Sequence, residues 1–538
     1  MNENKFYKIL TPVLWAIVIV FAVGTILRSL PGRRSQKVDI NSSDSDWGKL
    51  MLVLENVDKN YVDDIDHKKV IEDILPDIMK ELDPHSVYLP PEELKEAEES
   101  LSGGFEGIGI QFNVPNDTVV VNSVITGGPS ERAGLRVGDK IIKVDDRTIA
   151  GVKMEQDTMV SMMRGPKGTK VVISIIRGDS DELIPFTITR DKIPLHSVDV
   201  AYMINDTTGY IKLSKFARTT FAEFVQATDR LKGQGMKRLV FDLRDNTGGY
   251  LDQAMLLANE FMDQGAMIVY MQGKARKRTD MRADGRGRNK DLPIAVLINS
   301  GSASASEIFA GAIQDNDRGI IYGVRSFGKG LVQEPIYFSD GSGIRLTVAR
   351  YYTPSGRCIQ KPYSDDYDIE IFERYATGEM FSADSIKIDD DTKYTTVGGR
   401  TVYGGGGIVP DVFVPVDTVA VTDFYVECNR KGLQIKYANE VLDKHTDRVN
   451  ACRTMEAFDS FMSSIDYERG FLSFAARNGV EPKAGEWATS KEYMMIQIKA
   501  LIARYTPMGD EAFYPIYHKT DNLILTAVKN ETDHSGID

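Results

Sequence analysis

At 538 residues the chain is too long for one hydrophobic core and implies three or four domains. A net charge of −13 without a basic cluster argues against nucleic acid as a partner. Three cysteines, Cys358, Cys428 and Cys452, are too few for a disulfide scaffold and form no metal-type pair, so neither metal nor cofactor is expected; Cys428 and Cys452 could bridge in an oxidising compartment.

Residues 1–34 contain an uncharged apolar run, Ile9–Leu27, just long enough to span a bilayer, and read as a transmembrane anchor or a cleaved signal peptide. Lys5 and Lys8 precede the run, while Arg28, Arg33, Arg34 and Lys37 follow it, so charge does not settle its orientation. Residues 35–102 form a linker and a helical region, with Leu50, Val53, Leu54 and Val57 on one stripe. Leu82-Asp-Pro-His85-Ser interrupts that pattern, and His85 beside Pro84 reads as a structural turn residue.

Residues 103–191 change to short alternating strands and glycine turns. Gly107-Ile108-Gly109-Ile110 leads into one strand, and Val119–Ile125 forms another. The run from Pro129 to Asp145, PSERAGLRVGDKIIKVD, resembles a PDZ domain. That resemblance puts Gly107, Ile108, Gly109 and Ile110 in the loop that captures a peptide C-terminus, where consecutive backbone N–H groups meet a carboxylate. Gly107 and Gly109 also fit an ordinary tight turn.

From Ser197 strands and helices alternate, which predicts a largely parallel sheet with helices packed on it and a site carried by the loops after the strands. Arg238–Leu243 reads as a buried strand running into Arg244-Asp-Asn-Thr-Gly-Gly249. Residues 364–394 are acidic and look inserted, and the segment after about Thr418 shows a helical pattern without a motif.

Asn299–Gln333 carries the chemistry. Gly301-Ser-Ala-Ser304-Ala-Ser306 leads into a predicted helix from Glu307 to Gln314, whose positive end favours a developing negative charge. Twenty-five residues after Ser304 comes Lys329, between Gly328 and Gly330; a desolvated, neutral lysine can serve as the base for a serine. Ser304-x-x-Glu307 equally fits a capping box, in which Ser304 would only cap the helix. Gly323-x-x-x-x-Gly328-Lys329 fails as a phosphate loop, because Gly330 stands where Ser or Thr belongs. Ser326-x-x-Lys329 lacks the companion motifs of penicillin-recognising enzymes.

SASASEIFAGAIQD followed by GVRSFGKGLVQ resembles the active-site signature of the C-terminal processing (tail-specific) serine proteases, peptidase S41 type. The resemblance implies Ser304 as nucleophile, Lys329 as general base and Gln333 as the residue that orients it, the last two sharing a side if the segment is helical. It implies an oxyanion hole of the Gly249 and Ala305 N–H groups, with Gly248 in reserve; Thr247 replaces the commoner proline of that turn. Asp315, eleven residues on, reads as structural.

The expected architecture is multi-domain α/β. A ClpP/crotonase-like α/β protease core (192–418) carries a preceding or inserted PDZ β domain (103–191) and helical N- and C-terminal regions (35–102 and 419–538). The expected function is a serine endopeptidase acting on protein or peptide substrates with accessible C-terminal tails, held by its N-terminal segment at the inner membrane and facing the periplasm. A homo-oligomer or an activating adaptor stays open as a partner. The rivals are a silent PDZ adaptor and a crotonase-type acyl-CoA enzyme, for which no CoA signature is present.

Overall fold

The computed structural model describes residues 55–533, apart from 126, 179–181, 364–366, 368 and 387–391. The apolar run at Ile9–Leu27 lies outside the described residues, among which no helix is long and apolar enough to cross a membrane. Helix α1 (His67–Lys80) starts at Asp66, whose carboxylate accepts from the Lys69 N–H. The Leu82–Ser86 turn then leads to strand β1 (Val87–Leu89) and helix α2 (Pro91–Ser102). That helix stops at Gly103, which takes a left-handed φ of 83°.

The next unit runs through β2 (Gly104–Gly107), β3 (Ile110–Asn113), β4 (Val119–Val124), α3 (Pro129–Ala133), β5 (Lys140–Val144), β6 (Arg147–Thr148), α4 (Gln156–Met163), β7 (Lys170–Ile176), β8 (Ile184–Thr189) and β9 (Asp191–Pro194). β2 and β9 pair antiparallel, so the chain enters and leaves this unit side by side. The other strands form one sheet in the order β3-β4-β5-β7-β8, with β6 on β5 and β3 at an edge. Alternate residues of β7, Val171, Ile173 and Ile175, point into its core with Val119, Val121 and Ile141.

The central unit contains β10 (Val198–Met203), β11 (Thr208–Leu213), α5 (Thr220–Gly233), β12 (Arg238–Asp242), α6 (Leu251–Asn259), β13 (Met267–Gln272), β14 (Thr279–Arg282), β15 (Ile294–Ile298), α7 (Ala305–Asp315), β16 (Ile320–Gly323), β17 (Leu331–Tyr337), β18 (Gly343–Tyr352), α8 (Glu370–Ala376), β19 (Lys393–Thr395), β20 (Thr401–Tyr403) and β21 (Val412–Phe413). Six strands form a sheet in the order β10-β11-β12-β15-β16-β21, parallel throughout except at β10. The continuous apolar runs of β12 and β15 mark strands buried on both faces. Leu239, Phe241, Ile294 and Val296 face α5, α6 and α7. A second, antiparallel sheet stacks β1, β18, β13 and β14, with β17 also on β18.

The C-terminal region is helical, and its last two described helices cover the back face of the parallel sheet. The helices of this region are α9 (Asp423–Arg430), α10 (Leu433–Ala451), α11 (Met455–Ser463), α12 (Tyr467–Arg477), α13 (Glu486–Arg504), α14 (Asp510–Tyr517) and α15 (Asn522–Asp533). Val240, Ala295, Leu297 and Tyr322 pack there against Ile524 and Ala527 of α15. The first six helices enclose a separate core around Phe424, Tyr437, Phe458, Phe471, Ile498 and Phe513, onto which Val137 of the β unit also packs. Cys428 and Cys452 do not bridge: both are buried thiols, and Cys452 Sγ donates back along its helix to the Arg448 carbonyl at 3.2 Å.

Candidate active site

Strand β15 delivers Asn299–Ser306 to the carboxyl edge of the parallel sheet. The three serines of SASAS separate by environment. Ser302 and Ser306 are buried, and their hydroxyls donate to the carbonyls of Leu243 and Asn246, both at 2.8 Å. Ser304 is half-buried and sits at the N-cap of α7 with φ 55° and ψ −113°, a backbone region that costs a non-glycine residue on the order of 1–3 kcal/mol. The capping-box reading is right about geometry, because the Glu307 carboxylate reaches back to accept the Ser304 N–H at 2.9 Å. It is incomplete about Glu307, which is fully buried and accepts three further donors.

Those donors come from the loop that carries the lysine. Glu307 Oε1 accepts Ser326 Oγ at 2.5 Å and the Gly328 N–H at 2.7 Å, and Oε2 accepts the Lys329 N–H at 2.8 Å. Burial pushes the Glu307 carboxyl above its usual range, against the pull of these four hydrogen bonds. On the other side of the same two residues stands buried Tyr351 of β18. Its hydroxyl donates to the Lys329 carbonyl at 2.6 Å and lies 3.1 Å from the Ser304 carbonyl oxygen. One carboxylate and one phenol thus clamp the backbones of Ser304 and Lys329 together.

Lys329 and Gln333 do share a side, but not on a helix. Gln333 lies on β17, with a register shift at Val332/Gln333, and Lys329 Nζ donates to Gln333 Oε1 at 2.9 Å. The amide orientation is set from the other end, where Gln333 Nε2 donates to the His85 carbonyl at 2.5 Å; a carbonyl only accepts, so Oε1 must face the lysine. His85 is held in turn by Asp83, which accepts the His85 and Ser86 N–H groups at 2.8 Å each and Ser86 Oγ at 2.6 Å. Burial lowers the Lys329 pKa, and the nearby Arg345 charge lowers it further, against Asp83 and Glu307.

The glycine turn after β12 lies against Ser304. A Cβ on Gly248 would sit 2.8 Å from Ser304 Cβ and 3.0 Å from Ala305 N. Gly249, at φ 143°, bridges to Phe216, whose carbonyl oxygen would lie 2.2 Å from an added Cβ. The Gly248 N–H donates to Asn246 Oδ1 at 2.9 Å, which removes the reserve donor. Among the described residues nothing accepts from the N–H groups of Gly249 and Ala305. Asn246 ties both turns together, its carbonyl accepting the Ala303 N–H at 3.0 Å and Ser306 Oγ. Asp315 is remote from this chemistry, buried in an ion pair with Arg357 at 2.7 Å and bonded to Ser355 Oγ at 2.7 Å.

In the β unit the Gly107–Ile110 segment divides its roles. Gly107 ends β2, opposite Asp191, and Ile108 packs into the core. The Ile108 carbonyl accepts Ser130 N–H and Oγ, and the Gly109 carbonyl accepts the Ile125 N–H. Peptide planarity then turns the Ile110 N–H away from Ile125, toward the open edge of β3. Arg132 is held by the Gly127 carbonyl and by Asp191. Motif reading missed Glu307 as a hub, as well as Tyr351 and the His85 carbonyl. Only Glu307 had a local signal, as the partner in the capping box. Among the described residues no cluster of His, Cys, Asp and Glu could hold a metal.

The fold thus defines a multidomain protein in which a small β unit precedes an α/β core, and the loops at the carboxyl edge of that core bring Ser304 and the Lys329 loop together on Glu307. The family model "Peptidase family S41" matches residues 207–371, "PDZ domain" matches 107–187, and a family of unknown function matches 424–506. A "Probable CtpA-like serine protease" of Staphylococcus aureus (strain N315) is 34% identical over 399 residues, 73% of this chain and 78% of that protein. The "Carboxy-terminal-processing protease" of Bartonella bacilliformis is 37% identical over 358 residues, 64% of this chain and 80% of that one. The solved photosystem II D1 C-terminal processing protease aligns at 28% identity over 70% of this chain and 89% of its own, with a TM-score of 0.38. The chain belongs to peptidase family S41, and is a serine-type C-terminal processing protease with a PDZ domain.

Proposed function

We propose that Ser304 is the nucleophile, Lys329 its general base and Gln333 the residue that orients the base, in a core of the ClpP/crotonase type. The observation that carries this reading is the hydrogen bond from Lys329 Nζ to Gln333 Oε1, with the amide fixed by the His85 carbonyl. A neutral Lys329 that donates one N–H to this acceptor keeps its lone pair for the Ser304 hydroxyl proton. Ser304 Oγ then attacks the scissile carbonyl, and the oxyanion is met by the N–H groups of Gly249 and Ala305, which have no acceptor among the described residues. The protonated lysine returns its proton to the departing amine, and water repeats the cycle on the acyl-enzyme.

The PDZ domain holds the substrate's C-terminal tail, with Gly107, Ile108, Gly109 and Ile110 at its carboxylate end and the tail added beside β3. The open edge of β3 and the outward Ile110 N–H support this placement. An N-terminal membrane anchor and a periplasmic catalytic part complete the reading.

The test is cleavage of an unstructured protein with a free apolar C-terminus by wild type, Ser304→Ala and Lys329→Ala. Cleavage by wild type alone supports the pair. Cleavage by all three removes Ser304 and Lys329 from the mechanism.

A further inference from the structure

The turn that bears Gly248 and Gly249 is tied, through Arg244, to Asp521 at the start of α15 on the back of the sheet. Arg244 leaves β12 with its backbone N–H on Asp242 Oδ1 at 2.9 Å. Its Nε and Nη2 fork onto Asp242 Oδ2 at 2.9 and 2.6 Å, and that carboxylate is fully buried and also accepts the Tyr210 hydroxyl at 2.7 Å. The remaining arm, Nη1, reaches Asp521 Oδ2 at 2.8 Å, with the two side chains only 19% and 11% exposed. The other oxygen of Asp521 accepts the Leu523 and Ile524 N–H groups at 3.1 Å each, so the same carboxylate caps α15. Helix α15 is seated beside it by Ile524 and Ala527 against Val240 and Leu297.

Asp242 pairs with Arg244 directly, and Asp521 adds the second negative charge beside the two cations Arg244 and Lys212. Asp521 anchors Nη1, the arm of the guanidinium that Asp242 does not reach, so the side chain is held at both ends. Between Arg244 and Gly248 there is little slack. The Arg244 carbonyl accepts Lys212 Nζ at 3.2 Å, Asp245 holds φ 62° with its N–H on Asn299 Oδ1 at 3.0 Å, and Asn246 locks onto Leu213, Gly248 and Ala303. A shift of Arg244 therefore reaches Gly248 and Gly249, which lie against Ser304 and Ala305.

We propose that Asp521 is a positioning residue for the oxyanion turn, acting through Arg244, and that the C-terminal helices thereby set the catalytic geometry as well as cover the sheet. This rests on the assignment of Ser304 as the nucleophile, with the Gly249 and Ala305 N–H groups beside it as the oxyanion hole.

The experiment uses the full chain and compares Asp521→Asn, Asp521→Glu and Glu511→Gln. Asn caps a helix as well as Asp does, so Asp521→Asn removes the negative charge that faces Arg244 while keeping α15 capped. Glu511 pairs with Arg230 across the same seam, 3.6 Å apart and exposed, and serves as the docking control. Steady-state cleavage of a peptide is measured beside the Tm and the Ki of a peptidyl boronic acid, whose tetrahedral adduct occupies the oxyanion hole.

The expected result for Asp521→Asn is a fall in kcat of about tenfold, below the 10²–10³ lost when an oxyanion donor is removed outright. The boronate Ki rises in the same proportion, KM and Tm hold, Asp521→Glu recovers part of the rate, and Glu511→Gln behaves as wild type. An unchanged kcat in Asp521→Asn, or a fall that follows the Tm or is matched by Glu511→Gln, overturns the inference. Ser304→Ala in the same assay separates the two levels. If it still cleaves, the underlying assignment has failed; if it is dead while Asp521→Asn is unimpaired, only the role of Asp521 has failed.

Discussion

Gln333 Nε2 donates to the His85 carbonyl at 2.5 Å, a bond between residues 248 positions apart that decides which end of the amide meets Lys329. Replacing Gln333 by Glu removes that donor and adds a negative charge at the lysine, which raises the lysine pKa. The rising limb of log kcat/KM against pH is expected to move upward by at least about one unit, for about a tenfold loss at neutral pH. A limb that stays in place would separate Gln333 from the base.

The Lys329 base has its own pH signature. Burial and the Arg345 charge hold its pKa below the ordinary lysine value, and only the neutral amine can accept the Ser304 proton. Activity should therefore rise with pH through that depressed pKa. Arg345→Gln removes the like charge, so the pKa should climb and the limb should shift to higher pH. A pH–rate profile of the variant checks the sign.

Glu307→Gln tests the hub. The carboxylate accepts the Ser304, Gly328 and Lys329 N–H groups and Ser326 Oγ, whereas an amide turns one acceptor into a donor facing N–H groups. Stability should fall by about 3 kcal/mol, from buried donors left unpaired. Chemical denaturation measures the loss, and peptide cleavage should be abolished under conditions where the variant remains folded.

His518 predicts an acid-side loss of stability. Burial, helped by Arg244 and Lys212 and opposed by Asp521 and Asp242, lowers its pKa from 6.5 to about 4. The unfolded chain then takes up the proton first. Stability contributed by the neutral imidazole is complete above about pH 6.5 and lost as pH falls toward 4, by up to ~3 kcal/mol. Denaturant midpoints for wild type and His518→Gln across that window should show a steeper fall in wild type. The depressed carboxylates, Asp242 among them, act only below their unfolded pKa near 4 and do not mimic it.

Ser304 and Lys329 were singled out by the resemblance of SASAS and SFGKG to a family signature, and the structure adds that Glu307 and Tyr351 bind the backbones of both. The two-sided burial of β12 and β15 was legible from their unbroken apolar runs, but which segment covers the back face was not; Ile524 and Ala527 arrive from more than 200 residues away. Glu307 showed as one half of a capping box, because that contact spans three residues, while its contacts to Ser326, Gly328 and Lys329 depend on how a later loop folds back. The four-residue step from Lys329 to Gln333 suits a helix, yet an extended strand also returns a side chain to the same face every second residue. Tyr351 and the His85 carbonyl contribute through a hydroxyl and a backbone atom, which no residue pattern advertises.

Activation of Ser304 by Lys329 is the step on which the proposed mechanism turns. Its most direct test is mass spectrometry of the protein after a fluorophosphonate probe, with labelling rates for wild type and Lys329→Ala. One adduct is expected, on Ser304, formed far more slowly in Lys329→Ala. An adduct on Ser302 or Ser306, or equal rates in the two proteins, would contradict that step.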